Sequence, residues 1–333
     1  MNDLLEAARL LVHPGKGILA ADESNASADK RLASYGIETG EEMRRKERDM
    51  LLSCPGIEDY LSGVILYDET LKQKNNAGML FGTSLSERGI VPGIKVDEGT
   101  EPYLESPDEL ITKGLLGLAE RLAVYRTEYA TGFTKWRALV RIDGDRLPTA
   151  PVMYENAKRL ATYALEAQKA GMVPMVEPDV LLEGKHSRIR AGAVLEDTLT
   201  MLVDALRNQA VDLSGVILKT AMVTSGNESR KKDTPDEVAK DTVGVLMKIM
   251  PRGLGGIVFL SGGQTPDQAT ENLRAIERYA REAGAPWPLT FSYSRALQDE
   301  ALRAWGGKDE NIQAAQEAFR ARLKSVYQAA RGE

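Results

Sequence analysis

Short apolar runs recur along the chain, and most of them end in polar or charged residues. These runs are nearly continuous rather than alternating, which is typical of strands buried on both faces of a parallel sheet. Strands are therefore predicted over residues 17–23, 63–69, 91–97, 133–142, 172–178, 214–220, 256–263 and 289–294.

Between these runs, apolar residues recur at the spacing of amphipathic helices. A short helix is predicted before Pro14, and Gly171 is predicted to cap a helix over 151–170. Pro235 and Pro266 suit the first turns of two further helices. Helical patterns also cover 105–129, 191–210, 235–250, 266–283 and 295–328, the last of them broken at Gly306-Gly307.

Eight strands that alternate with helices over more than 300 residues predict a TIM (β/α)8 barrel of the α/β class. We expect one domain over residues 1–333, with a short N-terminal helix and C-terminal helices added to the barrel. A doubly wound open sheet is the alternative, because alternation alone does not distinguish the two. No GxGxxG motif follows a strand, which disfavours the dinucleotide-binding form of that sheet.

The composition narrows the possible functions. With 43 Lys and Arg against 49 Asp and Glu, the net charge of −6 gives no electrostatic basis for binding nucleic acid. One cysteine excludes an intrachain disulfide and favours a cytoplasmic location, and two histidines argue against a zinc site. No membrane span is predicted, because no apolar run reaches about 18 residues, and the first residues do not resemble a signal peptide.

Charged residues lie inside or at the ends of several predicted strands. In a barrel, the ends of the strands converge on one catalytic mouth. Buried charges are costly unless they are paired, so several of them on different strands indicate a shared polar site. The alternative for each residue alone is an exposed strand end or a structural ion pair. The residues are Asp22, Glu23, Lys95, Lys135, Glu177 and Lys219.

Lys219, within 216-VILKTAMV-223, is the best candidate for a nucleophile. A lysine must be neutral to attack a carbonyl, and burial and nearby cations lower its pKa towards that state. Lys95 and Lys135 would supply those cations, and Glu177 would transfer protons. The alternative for Lys219 is a lysine that reaches solvent from the barrel rim.

Two segments suggest phosphate sites. The first is the glycine-rich turn 261-SGGQT-265, whose backbone N–H groups precede a helix, with Arg295 after the last strand as a second anion ligand. The second is 24-SNASADKR-31, in which Ser27 and Arg31 would bind another phosphate. Each segment alone is weak evidence, because a Gly-Gly pair is often only a turn and a serine is often only a helix cap.

With these residues assembled, the chain closely resembles class I fructose-1,6-bisphosphate aldolase, the metal-independent Schiff-base type. The resemblance extends from about Leu10 to about Arg322, and the order and spacing of its motifs are specific. The matching segments are 17-GILAADES-24, 63-GVILYDETLKQK-74, 93-GIKVDEG-99, 134-TKWR-137, 173-VPMVEP-178, 257-IVFLSGGQ-264, 290-TFSYSRALQ-298 and 304-AWGGKDENIQAAQ-316.

The resemblance implies a TIM barrel, usually a homotetramer, that needs no metal or cofactor and reversibly cleaves fructose 1,6-bisphosphate to dihydroxyacetone phosphate and glyceraldehyde 3-phosphate. It implies that Lys219 forms the Schiff base, Glu177 acts as its acid and base, and Asp22 handles the C4 hydroxyl proton. Lys135 would polarise the substrate, and Asp179 would assist catalysis. The implied substrate-binding residues are Ser261, Gly262, Gly263 and Arg295 for the C1 phosphate, Ser27 and Arg31 near the C6 phosphate, and Lys95, Arg137 and Ser292.

The sequence departs from the family pattern at four places. Asp179 replaces a glutamate, Thr220-Ala221 replaces Pro-Asn, and Ser294 replaces a glycine. The chain ends at Glu333 without the longer tail, ending in tyrosine, of many relatives, and Tyr327 is expected to pack on the barrel. A sedoheptulose-bisphosphate aldolase, a transaldolase, a metal-dependent aldolase and an inactive scaffold barrel are the alternatives. The retained charges disfavour a scaffold, and the shortage of histidines disfavours the metal-dependent enzyme.

Overall fold

The computed structural model describes residues 2–333 and contains a closed barrel of eight parallel strands. A separate two-stranded antiparallel hairpin, β4 and β5, interrupts the series after the third barrel strand. The strands are β1 (Gly17–Ala21), β2 (Leu61–Leu66), β3 (Val91–Lys95), β4 (Thr100–Tyr103), β5 (Ser106–Thr112), β6 (Phe133–Val140), β7 (Val173–Val180), β8 (Ile217–Thr220), β9 (Gly256–Phe259) and β10 (Leu289–Tyr293).

The barrel closes because β1 pairs with both β2 and β10, and the helices surround it. The helices are α1 (Asn2–Leu11), α2 (Asn25–Ser34), α3 (Glu41–Leu52), α4 (Asp68–Lys72), α5 (Phe81–Glu87), α6 (Leu118–Glu128), α7 (Ala150–Lys169), α8 (Arg188–Asn208), α9 (Pro235–Ile249), α10 (Pro266–Glu282), α11 (Arg295–Trp305) and α12 (Ile312–Ala329). Within residues 2–333, no helix combines the length and the apolar character needed to cross a membrane.

The part of the barrel interior near the start of the strands is apolar. Phe133 fills the space that Gly93 leaves, since a Cβ atom on Gly93 would lie 2.3 Å from the Phe133 ring. Helix α1 covers this end of the barrel, and its buried Ala8 and Leu11 join the interior cluster. The start of the strands is therefore sealed, and polar side chains collect at the end of the strands.

The predicted α/β barrel is confirmed, and closure of the sheet excludes the doubly wound alternative. The N-terminal helix and the helices α7 to α12 also agree with the predictions. Gly171 has a positive φ just after α7, and Gly306 and Gly307 have positive φ at the break between α11 and α12. Residue 1, at which the predicted domain begins, lies outside the described residues.

The helix predicted over 105–129 is wrong in its first half. Residues Ser106–Thr112 form β5, and the helix begins only at Leu118. Tertiary contacts override the local pattern, because the Asn156 side chain on α7 binds the backbone of Thr112 and Leu110. Gly114, with φ 123°, also adopts a backbone conformation that a helix does not allow. The helices α2 to α5 were not among the predicted elements.

Candidate active site

A cavity of about 1140 Å³ opens at the end of the barrel strands. Its walls carry most of the charged residues predicted from the sequence. Each of them lies within a barrel strand or in the segment that follows it, so closure of the barrel brings them to one mouth. The predicted residues that line it are Asp22, Glu23, Ser27, Lys95, Lys135, Arg137, Glu177, Asp179, Lys219, Ser261, Gly262, Ser292 and Arg295.

Two neighbouring strands each contribute a pair of charged residues. Lys135 and Arg137 lie two residues apart on β6, and Glu177 and Asp179 do so on β7. Side chains two residues apart share one face of a strand, which here faces the cavity. Arg137 is directly opposite Glu177 in the register between the two strands. This spacing places cations and carboxylates beside each other.

Lys135 joins two carboxylates at the centre of the cavity. Its Nζ lies 2.8 Å from Asp22 Oδ2 and 3.0 Å from Glu177 Oε2. The Nζ of Lys219 lies 3.2 Å from the other oxygen of Glu177. All four side chains are buried. The strands β1, β6, β7 and β8 thus supply one continuous chain of alternating charges.

The environment differs between the two lysines. Burial lowers the pKa of Lys219, and the charge of Lys135 lowers it further, although Glu177 acts in the opposite direction. Burial also opposes the charged form of Lys135, but Asp22 and Glu177 outweigh it and raise the pKa of that lysine. Lys135 therefore stays a cation, while Lys219 is shifted towards the neutral amine that a nucleophile requires.

The two carboxylates are held in the ionised form. Burial alone would raise the pKa of Asp22, yet Lys135 and Lys219 outweigh this effect and lower it to about 2. The same two lysines lower the pKa of Glu177 below its usual range despite its burial. Both groups are consequently able to accept a proton at neutral pH.

Asp179 and Lys95 are each paired with a neighbour. Arg137 donates from Nε to Asp179 Oδ2 at 2.7 Å, while the buried Oδ1 of Asp179 has no hydrogen-bond partner. Burial raises the pKa of Asp179, although Arg137 opposes this. Lys95 Nζ lies 2.6 Å from Asp97 Oδ1. Asp97 was not predicted as a site residue, although it follows Lys95 within the matched segment 93-GIKVDEG-99.

A candidate anion site is formed by the turn after β9 and the start of α11. Gly262 and Gly263 have φ of 58° and 94°, a conformation that favours glycine. A Cβ atom on Gly263 would lie 3.4 Å from Nη2 of Arg295, so the turn and the guanidinium are neighbours. The buried Ser292 Oγ has no hydrogen-bond partner. Free N–H groups at the start of α11 add to this electropositive region.

The structure does not place Arg31 in the cavity, in contrast to the prediction. Ser27 lines the cavity one helical turn earlier on α2, but Arg31 is only 8% exposed. Its Nη2 contacts Glu47 and donates to Gln298 Oε1 at 2.6 Å. The buried carboxylate of Glu47 thus holds the guanidinium inside the protein. Gly263 borders Arg295 without lining the cavity itself.

No metal site is apparent in the described part of the chain. Among residues 2–333, no group of three or more His, Cys, Asp or Glu side chains is arranged so that it could hold a metal ion.

Comparison with known proteins agrees with the resemblance to class I fructose-bisphosphate aldolase that the sequence motifs indicate. Residues 3–333 match the family model for fructose-bisphosphate aldolase class-I. The chain is 45% identical over 334 residues to a probable fructose-bisphosphate aldolase class 1 of Xanthomonas axonopodis, covering 100% of this chain and 98% of that protein. It is 44% identical over 330 residues to the cytosolic fructose-bisphosphate aldolase 4 of Arabidopsis thaliana, covering 99% of this chain and 83% of the relative.

A solved structure shows the same fold. It is fructose-bisphosphate aldolase from Plasmodium falciparum in a ternary complex with TRAP and a small-molecule inhibitor. Its TM-score is 0.96 at 40% identity, over 99% of this chain and 94% of that one. The fold and the polar cavity define a barrel lyase. The chain belongs to the class I fructose-bisphosphate aldolase family.

Proposed function

We propose that this cavity cleaves fructose 1,6-bisphosphate reversibly through a Schiff base on Lys219. The observation that carries the proposal is the buried Lys219 Nζ, 3.2 Å from Glu177 and in the field of Lys135. The lysine has both of the features that nucleophilic amines require, namely a lowered pKa and an adjacent acid–base group. Family membership supports the same chemistry.

Schiff-base formation needs one nucleophile and one proton carrier. The neutral Nζ of Lys219 attacks the C2 carbonyl of the open-chain sugar, so that a C–N bond forms. The carbonyl oxygen takes up a proton from solvent, and the ionised Glu177 accepts the proton that the nitrogen loses. Glu177 then delivers a proton to the hydroxyl of this carbinolamine, which leaves as water and yields a protonated Schiff base. Glu177 suits this role because it contacts the lysine directly.

Cleavage of the carbon–carbon bond needs a base on the other side of the cavity. Asp22 accepts the proton of the C4 hydroxyl, the C3–C4 bond breaks, and its electrons move into the Schiff base to form an enamine. Glyceraldehyde 3-phosphate leaves, and protonation and hydrolysis of the enamine release dihydroxyacetone phosphate. Lys135, 2.8 Å from Asp22, polarises the reacting oxygen.

The two phosphates are assigned to different parts of the cavity. Ser261, Ser292, Arg295 and the backbone around Gly262 and Gly263 hold the C1 phosphate, since they surround the electropositive turn after β9. Lys95 and Ser27 hold the C6 phosphate. Arg137, which binds Asp179, orients the substrate between them.

The proposal is tested by trapping the intermediate. Borohydride added with dihydroxyacetone phosphate reduces the Schiff base, and peptide mapping should locate the adduct on Lys219. Fructose 1,6-bisphosphate cleavage should continue in EDTA. An adduct on Lys95 or Lys135, or activity abolished by EDTA, contradicts the proposal. The same assay with sedoheptulose 1,7-bisphosphate measures the preference between six- and seven-carbon substrates.

We also propose that the protein is a cytosolic homotetramer. Large apolar side chains are exposed at the hairpin tip and at the starts of α7 and α8, where Leu104, Tyr154 and Ile189 are 92%, 63% and 79% exposed. Such residues are common at subunit interfaces, and one similar protein is a cytosolic enzyme. Light scattering coupled to size-exclusion chromatography should give four times the mass of one chain.

A further inference from the structure

A cluster of four charged side chains, three of them buried and one half-buried, lies behind the strand end that carries Asp22. It consists of Glu23, Arg31, Glu47 and Arg48, and we call it the Glu47 cluster. Glu47 is fully buried on α3 and does not line the cavity. Of the four residues, only Glu23 reaches the cavity wall.

Glu47 connects the two guanidinium groups of the cluster. Its Oε1 contacts Arg31, and its Oε2 lies 3.0 Å from Nη1 of Arg48. Both arginines in turn approach Oε2 of Glu23, Arg31 at 2.8 Å and Arg48 at 3.6 Å. Glu23 directly follows Asp22. The carboxylate of Glu47 therefore fixes Arg31 and Arg48, and these two arginines hold Glu23, the residue after Asp22.

Gln298 on α11 holds the same strand on the other side of Asp22. Its Oε1 accepts from Arg31 at 2.6 Å, and its Nε2 donates to the carbonyl oxygen of Ala20 at 2.8 Å. Ala20 lies on β1, two residues before Asp22. The strand end is thus attached to the cluster both before and after the residue that contacts Lys135.

Stability does not by itself explain three buried charges and one half-buried charge at this place. Buried ion pairs are often no more stabilising than apolar side chains of similar volume. Their defined geometry is more informative, because a displacement of about 1 Å at a reacting group can cost about 10²-fold in rate. The Asp22 carboxylate, 2.8 Å from Lys135, is such a group.

We propose that Glu47 is a positioning residue for cleavage of the carbon–carbon bond. By fixing Arg31 and Arg48 it holds Glu23, and through the backbone it keeps Asp22 against Lys135. This inference rests on the proposed function. Within residues 2–333, no hydrogen bond or ion pair joins the Glu47 cluster to Lys219, which lies on β8. Because Lys219 keeps its own contact with Glu177 on β7, Schiff-base formation should be much less sensitive to Glu47 than cleavage is.

The test separates the two steps of the reaction. Glu47→Gln keeps the shape of the side chain and removes its charge. It should lower kcat for cleavage of fructose 1,6-bisphosphate about tenfold or more. The rate of borohydride trapping of dihydroxyacetone phosphate on Lys219 should stay within about threefold, which is less than 1 kcal/mol. A general loss of folded protein would lower both rates together.

Two further variants control for effects on folding, which circular dichroism monitors. Gln298→Leu breaks the link to Ala20 without leaving a buried charge unpaired, and it should show the same selective loss. Glu58→Gln removes an ion pair with Arg88 at the opposite end of the barrel. It should leave both rates within about threefold of the unaltered protein.

The outcomes are decisive for the inference. A fall in cleavage of less than about fivefold in folded Glu47→Gln overturns it, as does an equal fall in trapping. If Glu47→Gln does not fold, the same criteria apply to Gln298→Leu. Absence of trapping in the unaltered protein contradicts the proposed function and, with it, this inference.

Discussion

Lys135 controls the protonation of its neighbours as well as contacting them. Burial is the main cause of the lowered pKa of Lys219, and the charge of Lys135 lowers it further. The same charge lowers the pKa of Asp22 and of Glu177 against the effect of their burial. One fixed cation therefore keeps the two carboxylates ionised and favours the neutral amine. Because the charge of Lys135 favours ionised Asp22, ionised Glu177 and neutral Lys219, loss of that charge should affect all three groups.

Replacing Lys135 tests whether its charge sets the protonation of the neighbouring groups. Lys135→Met removes the cation and leaves two carboxylates facing Lys219, so the pKa of Lys219 should rise. The neutral fraction of Lys219 at pH 7 then falls, and the rise of the borohydride trapping rate with pH should move to higher pH. Cleavage should fall about 10²-fold or more, because a charge at the reacting atoms is lost.

The matched control is Lys169→Met, which removes an exposed lysine paired with Glu166 on α7. It should leave the pH profile and turnover unchanged. A Lys135→Met protein whose trapping profile coincides with that of the unaltered protein would show that Lys135 does not set the charge of Lys219.

The sequence was sufficient to predict which residues meet at the centre of the cavity, but not the environment of Arg31. Lys135, Glu177 and Lys219 each interrupt an apolar strand, and that pattern has few explanations other than a shared polar site. Glu47 and Arg48 lie in 41-EEMRRKERDM-50, whose charges are typical of a solvated helix face. Only the packing of α3 against its neighbours buries them, and no local pattern indicates it.

At the scale of elements, the turn after β9 and the start of α11 form the site proposed for the C1 phosphate. Two glycines allow the tight turn, and Arg295 is the first residue of α11. Its side chain is exposed to the cavity, where it is a candidate for a bidentate contact with a phosphate.

Removing that contact should weaken binding of the phosphate. Hydrogen bonds to a charged group are worth about 1.5–3 kcal/mol, so Arg295→Ala should raise KM for dihydroxyacetone phosphate in the condensation direction by about tenfold or more. Because the phosphate also orients the reacting carbons, kcat should fall too. The measurement is the initial rate of fructose 1,6-bisphosphate formation at varied dihydroxyacetone phosphate concentration.

Arg303→Ala is the control on the same helix, since Arg303 lies over the Tyr35 ring at 5.8 Å and does not line the cavity. It should leave KM unchanged. An Arg295→Ala enzyme with unaltered kcat/KM would mean that Arg295 only begins the helix.

The elements themselves were predicted where one physical signal dominates. Continuous apolar runs gave the eight barrel strands, and the proline and glycine signals agree with the observed ends of α7, α9 and α10. The segment 105–129 was misassigned because its apolar residues suit a helix as well as a hairpin. Asn156, more than 40 positions further along the chain than Thr112, decides between them.

At the scale of the whole molecule, the two ends of the barrel have different tasks. The end at which the strands begin is closed by α1 and apolar side chains, whereas the end at which they finish holds the charged cavity. This division follows from the fold, in which loops after the strands carry chemistry and the opposite face contributes stability. A residue's role can therefore be judged by the end at which it lies.

Tyr327 lies at the closed end. Its ring packs edge-on against Tyr60 with the centroids 5.5 Å apart, and it is close enough to Gly15 that a Cβ atom there would lie 2.9 Å from it. Gly15 and Tyr60 precede β1 and β2, so the tyrosine is at the far end from the cavity. The expectation that Tyr327 packs on the barrel agrees with this contact.

Tyr327→Phe should accordingly leave catalysis almost unchanged. The phenyl ring keeps the contact with Tyr60 and loses only a hydroxyl that lies 3.3 Å from Nη1 of Arg331. A general acid is worth about 10²–10⁴-fold in rate, whereas loss of this hydroxyl should change turnover by less than about threefold. Tyr327→Ala should instead lower the free energy of unfolding by about 2 kcal/mol, because a half-buried ring is removed. A fall in fructose 1,6-bisphosphate cleavage approaching a hundredfold in Tyr327→Phe, with an unchanged circular dichroism spectrum, would show instead that this tyrosine takes part in proton transfer.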